Sequence, residues 1–430
     1  MKQWNVVFDV GGLIDGSPKN MGRGGLFIAG LELLKAFTRD PRIRITLFAE
    51  MPRTHIESFA HRYLTEGTYT IHDNFNWSIL LKYRMVRDKA RRAKVKRRWP
   101  HWAVRMIKKN GYAVVCNVLQ ITYEKALEDV DIWFSPIHAP LPEVAQLDRL
   151  KRFVLLHDAI PLLADVPQVN KGLGAIDHWH SQLVRAINSD DHYFADSDYT
   201  KRDFLKYVKT LDATKIRVTP LACSCEFVPC RRDMRPLFEK YRIPAGMRYV
   251  FSLCTIDPRK NLIRATKVFI EFIKKHGISD LVLVLGGGSF DYFIEQFNRE
   301  VKSCGVLANR IVQTGYIDAA DLPAFYSQAE WFVYTSQYEG FGLPPLEAMA
   351  CGCPVVTSNA TSLPEVVGDA GIMVDWESDE QHLQAYEAYY FKPALRSEMA
   401  RRGLERAQRF SWTRCAHEMI DAMVEVRGHS

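Results

Sequence analysis

The chain has 430 residues, 47% of them hydrophobic and 25% charged, with a formal net charge of +7. That length exceeds one ordinary hydrophobic core and calls for two or three domains, and the composition excludes a disordered or fibrous chain. Nine cysteines without a single C-x-x-C pair argue against a disulfide frame or a zinc site, and no apolar run reaches the roughly 20 residues of a membrane span. The first residues, MKQWNVVFDVGG, carry no apolar leader core. The expectation is a cytoplasmic protein, soluble or peripheral to a membrane.

In chain order, short β-branched and aromatic runs alternate with longer amphipathic ones. Strands are predicted at Trp4–Val10, Ile43–Ala49, Ile132–Ser135, Phe153–Leu156, His192–Ala195 and Ile216–Thr219, with helices at Gly25–Thr38 and Gly174–Asn188. Pro, Arg and Cys punctuation from Phe227 to Gly246 reads as a linker. A second series follows, with strands at Tyr249–Leu253, Leu281–Leu285, Ile311–Thr314, Trp331–Tyr334, Pro354–Ser358 and Gly371–Val374. Helices at Leu262–His276, Phe290–Cys304, Asp321–Ala329 and Pro345–Ala350 lie between them. The alternation predicts α/β architecture with two doubly wound, Rossmann-like units, 1–228 and 229–410. Ligands of such sheets bind outside the carboxyl ends of the strands, so a cleft between the units is the expected site.

Residues 76–110 break the pattern. Thirteen Lys and Arg residues between Lys82 and Lys109 accompany one acid, Asp88, with Trp77, Trp99 and Trp102 among them. A solvated surface helix is one reading. Adsorption of residues 77–109 to an anionic membrane surface is another, because each cation near such a surface contributes about 1 kcal/mol and interfacial Trp adds to it. Nucleic acid is not an expected partner, since no recognisable module accompanies the basic run.

The segment YEGFGLPPLEAMACGCPVV, Tyr338–Val356, places seven residues between Glu339 and Glu347. A strand leads into a Gly340–Gly342 turn, and Pro344 and Pro345 suit the first turn of a helix. Free amides at such a turn form an anion site, and the two carboxylates can accept hydrogen bonds from sugar hydroxyls. A plain helix-terminus charge effect would also account for one such glutamate pair.

The segment resembles the E-x7-E signature of retaining family-4-type glycosyltransferases with the GT-B fold, nearly residue for residue. The likeness continues in SLPE (Ser362–Glu365), Gly371–Val374, DPRKNL (Asp257–Leu262), and the stretch from Gly315 to Ser336. In the first half it includes HDAIPLL from His157, ADSDYTKRDF from Ala195 and VTPLA from Val218. Residues 51–125 match least. FSW, Phe410–Trp412, resembles the start of the family's C-terminal helix, which implies that 411–430 crosses back to the first unit.

The resemblance implies a nucleotide-sugar site whose leaving diphosphate meets Arg259 and Lys260. Cys254 stands where many relatives carry an arginine. Catalytic roles are implied for His157, Glu339 and Lys260, with His157 on a donor-sugar hydroxyl; a structural histidine paired with Asp158 is the alternative. Glu339 is expected near the donor sugar and Glu347 on the ribose. Gly340, Phe341, Gly342 and Leu343 would offer backbone amides, and Gly315, Tyr316 and Ile317 would lie on the base side. Gly22, Arg23, Gly24 and Gly25 form a glycine-rich loop before a helix, fit for close approach of a ligand or for a plain tight turn. D-x-D pairs at Asp129–Asp131 and Asp196–Asp198 are common by chance, and no metal or other cofactor is expected. The implied function is metal-independent transfer of a hexose to a glycan or lipid-linked acceptor in bacterial surface polysaccharide synthesis. Mannose from GDP-mannose is the first donor, given HDAIPL together with PRKN. The alternatives are a UDP- or dTDP-sugar donor, or a non-catalytic GT-B scaffold at the membrane. A lipid-linked acceptor implies the inner face of the inner membrane.

Overall fold

The computed structural model describes residues 3–14, 24–72, 123–163, 183, 186–288 and 291–428. Gly22, Arg23, the basic segment 77–109 and most of the helix expected at Gly174–Asn188 lie outside the described residues.

Two parallel sheets organise the chain. The first contains β1 (Trp4–Asp9), β2 (Ile43–Phe48), β3 (Thr70–Ile71), β4 (Ile132–Ser135), β5 (Lys151–Leu156), β6 (His192–Ala195) and β7 (Ile216–Val218) in the order β3-β2-β1-β4-β5-β6-β7. The second contains β8 (Arg248–Leu253), β9 (Leu281–Gly286), β10 (Ile311–Gly315), β11 (Phe332–Tyr334), β12 (Val355–Ser358) and β13 (Gly371–Val374) in the order β10-β9-β8-β11-β12-β13. Every strand read from the sequence is present, with ends moved by one or two residues. Among the described residues, only the two-residue edge strand β3 went unread, in the stretch where the family likeness is weakest. Helices cover both faces, so central strands bury side chains in both directions and read as unbroken apolar runs; all six residues of β9 are buried.

The order reverses between β1 and β4 in the first sheet and between β8 and β11 in the second. Each reversal opens a crevice at the carboxyl edge of its sheet, the usual ligand position in doubly wound folds.

Six helices frame these crevices or link the two units: α1 (Gly25–Phe37), α2 (Asp198–Tyr207), α3 (Leu262–Lys275), α4 (Leu343–Ala350), α5 (Leu363–Val367) and α6 (Trp412–Gly428). Helix α4 begins two residues earlier than the Pro345 start read from the sequence. Its cap, Gly342, has φ +110°, which turns the chain at once into the helix. Pro344 and Pro345 still fall in the first turn, where backbone N–H groups have no intrahelical partner to lose.

Helix α6 returns to the first unit and packs on α1 and β5. It buries Met419, Ile420 and Met423 completely. Arg217 reaches Glu425 at 2.9 Å, and Arg42 pairs with Asp421. Among the described residues, no helix is long and apolar enough to cross a membrane.

Candidate active site

The crevice between β8 and β11 holds a compact group of charges. After β8 the chain makes a short turn, Pro258–Lys260, capped by Asp257, whose Oδ1 accepts the Arg259 amide at 2.8 Å. Asn261 then adopts left-handed backbone geometry and donates its side-chain amide to the Trp376 carbonyl at 2.8 Å, starting α3. This kink keeps Arg259 and Lys260 at the crevice instead of on the helix surface. Lys260 Nζ lies 2.5 Å from Glu339 Oε1 and 2.7 Å from the Tyr334 hydroxyl. Arg259 Nη1 lies 3.2 Å from the same carboxylate oxygen and donates to the Tyr338 carbonyl.

Burial pushes the Glu339 carboxyl up, but Lys260 and Arg259 overrule it and hold the group at about 2. Burial, with Arg259 beside it, draws Lys260 below its usual value. Two cations thus share one carboxylate in a largely enclosed place. Such a site favours a further anion, because charge interactions strengthen where water is excluded.

Glu347 lies on α4, and its Oε2 accepts the Tyr326 hydroxyl at 2.8 Å. Burial raises this carboxyl to about 7, only partly opposed by that hydrogen bond. The two glutamates of one motif therefore differ in ionisation, because only Glu339 has cationic partners.

The remaining residues named from the sequence divide into several groups. Gly340 through Leu343 form the turn into α4, and Gly340 is pressed against the first unit. A Cβ there would fall 1.6 Å from the His157 carbonyl oxygen. Gly25, at the start of α1, faces Leu343 across the cleft, with a Cβ reaching 3.6 Å from its Cδ1. Gly24 caps that helix in extended geometry. The end of β5 and the start of α1 therefore both meet the same segment, Gly340–Leu343.

The His157 imidazole is buried, at 5% exposure, with Nε2 2.7 Å from the Pro136 carbonyl and Nδ1 3.8 Å from Asp196 Oδ2. Its backbone carbonyl abuts the turn at Gly340.

At the end of β10, Tyr316 is 45% exposed, whereas Ile317 is buried in the core, leaving only its backbone for a ligand. A cavity of about 60 Å³ beside them is lined by Cys254, Gly287, Gln313 and Gly315 among others. Burial pushes the Cys254 thiol to about 12.

The D-x-D aspartates have other partners. Asp131 accepts the Asn5 amide at 3.0 Å and meets Arg427 at 3.5 Å, and Asp196 is buried beside His157. Among the described residues, no group of three or more His, Cys, Asp or Glu could hold a metal ion.

Several contributors went unread in the sequence. Tyr334 looked like any apolar strand residue. Gly12, in a short helix Gly11–Ile14 after β1, packs under His138 after β4, where a Cβ would fall 2.6 Å from Nε2. The Val10-Gly11-Gly12 step after a strand was the available signal for that turn.

Comparison with known proteins agrees with this geometry. Residues 233–406 match the family model for glycosyl transferases group 1. O-antigen chain mannosyltransferase B of Escherichia coli is 34% identical over 249 residues, 57% of this chain and 64% of that protein. The serotype-specific mannosyltransferase WbdA of Escherichia coli is 27% identical over 282 residues, 64% of this chain and 34% of that protein. The chain thus spans under two thirds of the first of these relatives and about a third of the second. Anabaena HepE, solved in complex with UDP and glucose, superposes with a TM-score of 0.65 at 15% identity, covering 98% of this chain and 100% of that one. With two parallel Rossmann-like sheets meeting at a cleft, the chain has the GT-B fold, and within it residues 233–406 match the glycosyl transferases group 1 model.

Proposed function

We propose that the protein is a retaining, metal-independent mannosyltransferase that uses GDP-mannose and acts on a glycan or lipid-linked acceptor in surface polysaccharide assembly. One observation carries the reading: Arg259 and Lys260 converge on Glu339 at the sheet's reversal point, under a loop pressed on by the opposite unit. The similarity to two Escherichia coli mannosyltransferases supports the choice of sugar.

In the reaction, an acceptor hydroxyl oxygen bonds to the anomeric carbon while the bond from that carbon to the diphosphate oxygen breaks. The bonding electrons leave with the diphosphate. Lys260 and Arg259 stabilise the charge that grows there, an interaction stronger in the transition state than in the ground state. Attack on the same face retains configuration, and the departing phosphate takes the hydroxyl proton. A trapped covalent glycosyl-enzyme would overturn this step. Glu347 receives the ribose hydroxyls, and Glu339 borders the donor sugar. The acceptor enters at the β1–β4 crevice, beside Gly12 and His138.

The basic segment 77–109 carries the protein to anionic lipid on the inner face of the inner membrane, where a lipid-linked acceptor resides. Deleting Trp77–Lys109 should then reduce binding to anionic vesicles, and unchanged binding would remove the idea.

The test of the whole reading is thermal unfolding with GDP, UDP, dTDP and ADP, each with and without EDTA. A ligand at 100 times its Kd stabilises the folded state by about 2.7 kcal/mol. A GDP-selective shift that EDTA does not alter is expected. Selectivity for UDP or dTDP would replace the donor, and no shift with any nucleotide would favour a non-catalytic scaffold.

A further inference from the structure

Glu339 stands between two residues that the opposite unit holds. On one side, the Tyr338 hydroxyl donates to Asp203 Oδ2 at 2.6 Å, and both residues are buried. On the other, the Gly340 carbonyl accepts from Ser197 Oγ at 2.6 Å and from Thr200 Oγ1 at 3.2 Å. Asp203 and Thr200 lie on α2, and Ser197 is its cap, whose hydroxyl oxygen also accepts the Thr200 amide at 3.0 Å.

The second unit reciprocates from α5. The two carboxylate oxygens of Glu365 accept the Asp198 and Tyr199 amides at 2.8 Å each, with Arg202 at 3.6 Å from the same group. Those amides belong to the first turn of α2 and have no partner within the helix. One helix end of the first unit is thereby tied to the second unit at three places, two of which bracket Glu339.

The ties are directional. The Glu339 amide donates to Thr361 Oγ1 at 2.9 Å, and its carbonyl accepts from Ser362 Oγ at 3.0 Å, both within its own unit. Its neighbours on either side also take partners from α2 and its cap. Any shift of Tyr338 or Gly340 would rotate the peptide that aims the Glu339 carboxylate at Lys260 and Arg259.

We propose that Asp203, Ser197 and Thr200 are positioning residues for the donor site. Acting from the opposite unit through Tyr338 and Gly340, they hold Glu339 on its two cations and so set the affinity for the nucleotide sugar. None of the three touches the donor. The inference rests on the donor-site reading above.

The test compares Asp203→Ala, Asp203→Asn and the double variant Ser197→Ala/Thr200→Ala with the wild type. Two readouts are used: the donor KM against kcat, and hydrogen exchange of the amides of residues 338–343. Asp203→Ala strands a buried hydroxyl and should raise donor KM about tenfold, with local exchange faster by a similar factor. Asparagine offers an oxygen in the same place, so Asp203→Asn should return both readouts close to wild type. The double variant should move both in the same direction as Asp203→Ala. Unchanged KM and exchange in Asp203→Ala would overturn the inference, and so would a loss that asparagine does not recover. Faster exchange throughout the second sheet, instead of in 338–343 alone, counts against it as general loosening. If the wild type turns over no nucleotide sugar, the functional reading fails separately. The exchange comparison still decides whether α2 holds the loop.

Discussion

Lys260 Nζ and Glu339 Oε1 meet at 2.5 Å, although the residues come from the ends of two different strands, β8 and β11. Arg259 shares the same oxygen, and the Tyr334 hydroxyl completes the lysine's contacts. The carboxylate therefore serves first to orient two cations. A diphosphate arriving there would find them already directed into the crevice.

Removing one of these cations should chiefly affect turnover. Lys260→Ala leaves Glu339 paired with Arg259, so the fold survives, but half of the positive charge at the leaving group is lost. A fall in kcat of about 10²–10³-fold is expected, in line with loss of a single charge-stabilising donor. Nucleoside diphosphate release, measured beside a melting curve, would separate this from unfolding.

Glu347 should give the protein a characteristic pH response. Its carboxyl titrates at about 7 in the folded protein against an ordinary 4.5. Between those values the native state binds a proton that the unfolded state has released, so stability falls as pH rises through that window. Glu347→Gln should flatten that part of a plot of Tm against pH. GDP affinity should change the opposite way, rising as pH passes about 7, because an ionised carboxylate accepts ribose hydroxyls better. A pH-independent Kd would show that Glu347 does not reach the ribose.

Gly340→Ala places a Cβ 1.6 Å from the His157 carbonyl oxygen and 3.1 Å from Asp158 Cβ. Backbone meets backbone there, so the two units must part locally. A displacement of about 1 Å at a reacting centre costs on the order of 10²-fold, and kcat/KM should fall by at least that much. Because Gly340 adjoins the peptide that aims Glu339 at Lys260 and Arg259, the GDP-induced melting shift should shrink in the same variant.

Arg152 and Asp191 form a buried pair at 2.5 Å, with exposures of 4% and 1%, on the side of the first sheet opposite its ligand edge. Arg152→Ala strands a buried carboxyl, and burial already raises Asp191 against the pull of its partner. A loss of about 3–5 kcal/mol in urea unfolding is expected. The kinetic constants of the folded fraction should remain those of the wild type.

Much of this architecture was legible in the residues. Parallel strands covered on both faces produce unbroken apolar runs, and Val282, Val284 and Leu285 mark β9 as plainly in the sequence as in the sheet. The turn into α4 was legible because Glu339, the glycine turn and Glu347 are neighbours in sequence. Helix α4 was misjudged by two residues because nothing local shows that Gly342 takes positive φ. The expectation for His157 is a donor-sugar hydroxyl; the structure adds that Nε2 lies at the Pro136 carbonyl and Nδ1 near Asp196, contacts that its neighbours in sequence do not specify. Tyr334 was indistinguishable from core because it is buried, although its hydroxyl and its ring face both meet Lys260.

By itself, the sequence determined the succession of strands and helices in two doubly wound units, and the glycine turn into a helix within Tyr338–Ala350. These depend on periodicity and on contacts between near neighbours. The tertiary structure decided which cations share Glu339, how differently the two glutamates ionise, and that α2 grips the loop from the other unit. The first two depend on how the second sheet gathers segments distant in sequence, and the third on how the two sheets face each other. Asp203 and Tyr338 lie 135 residues apart in the chain. Hydrophobic pattern specifies which face of an element is buried, but not which distant polar group will meet it there.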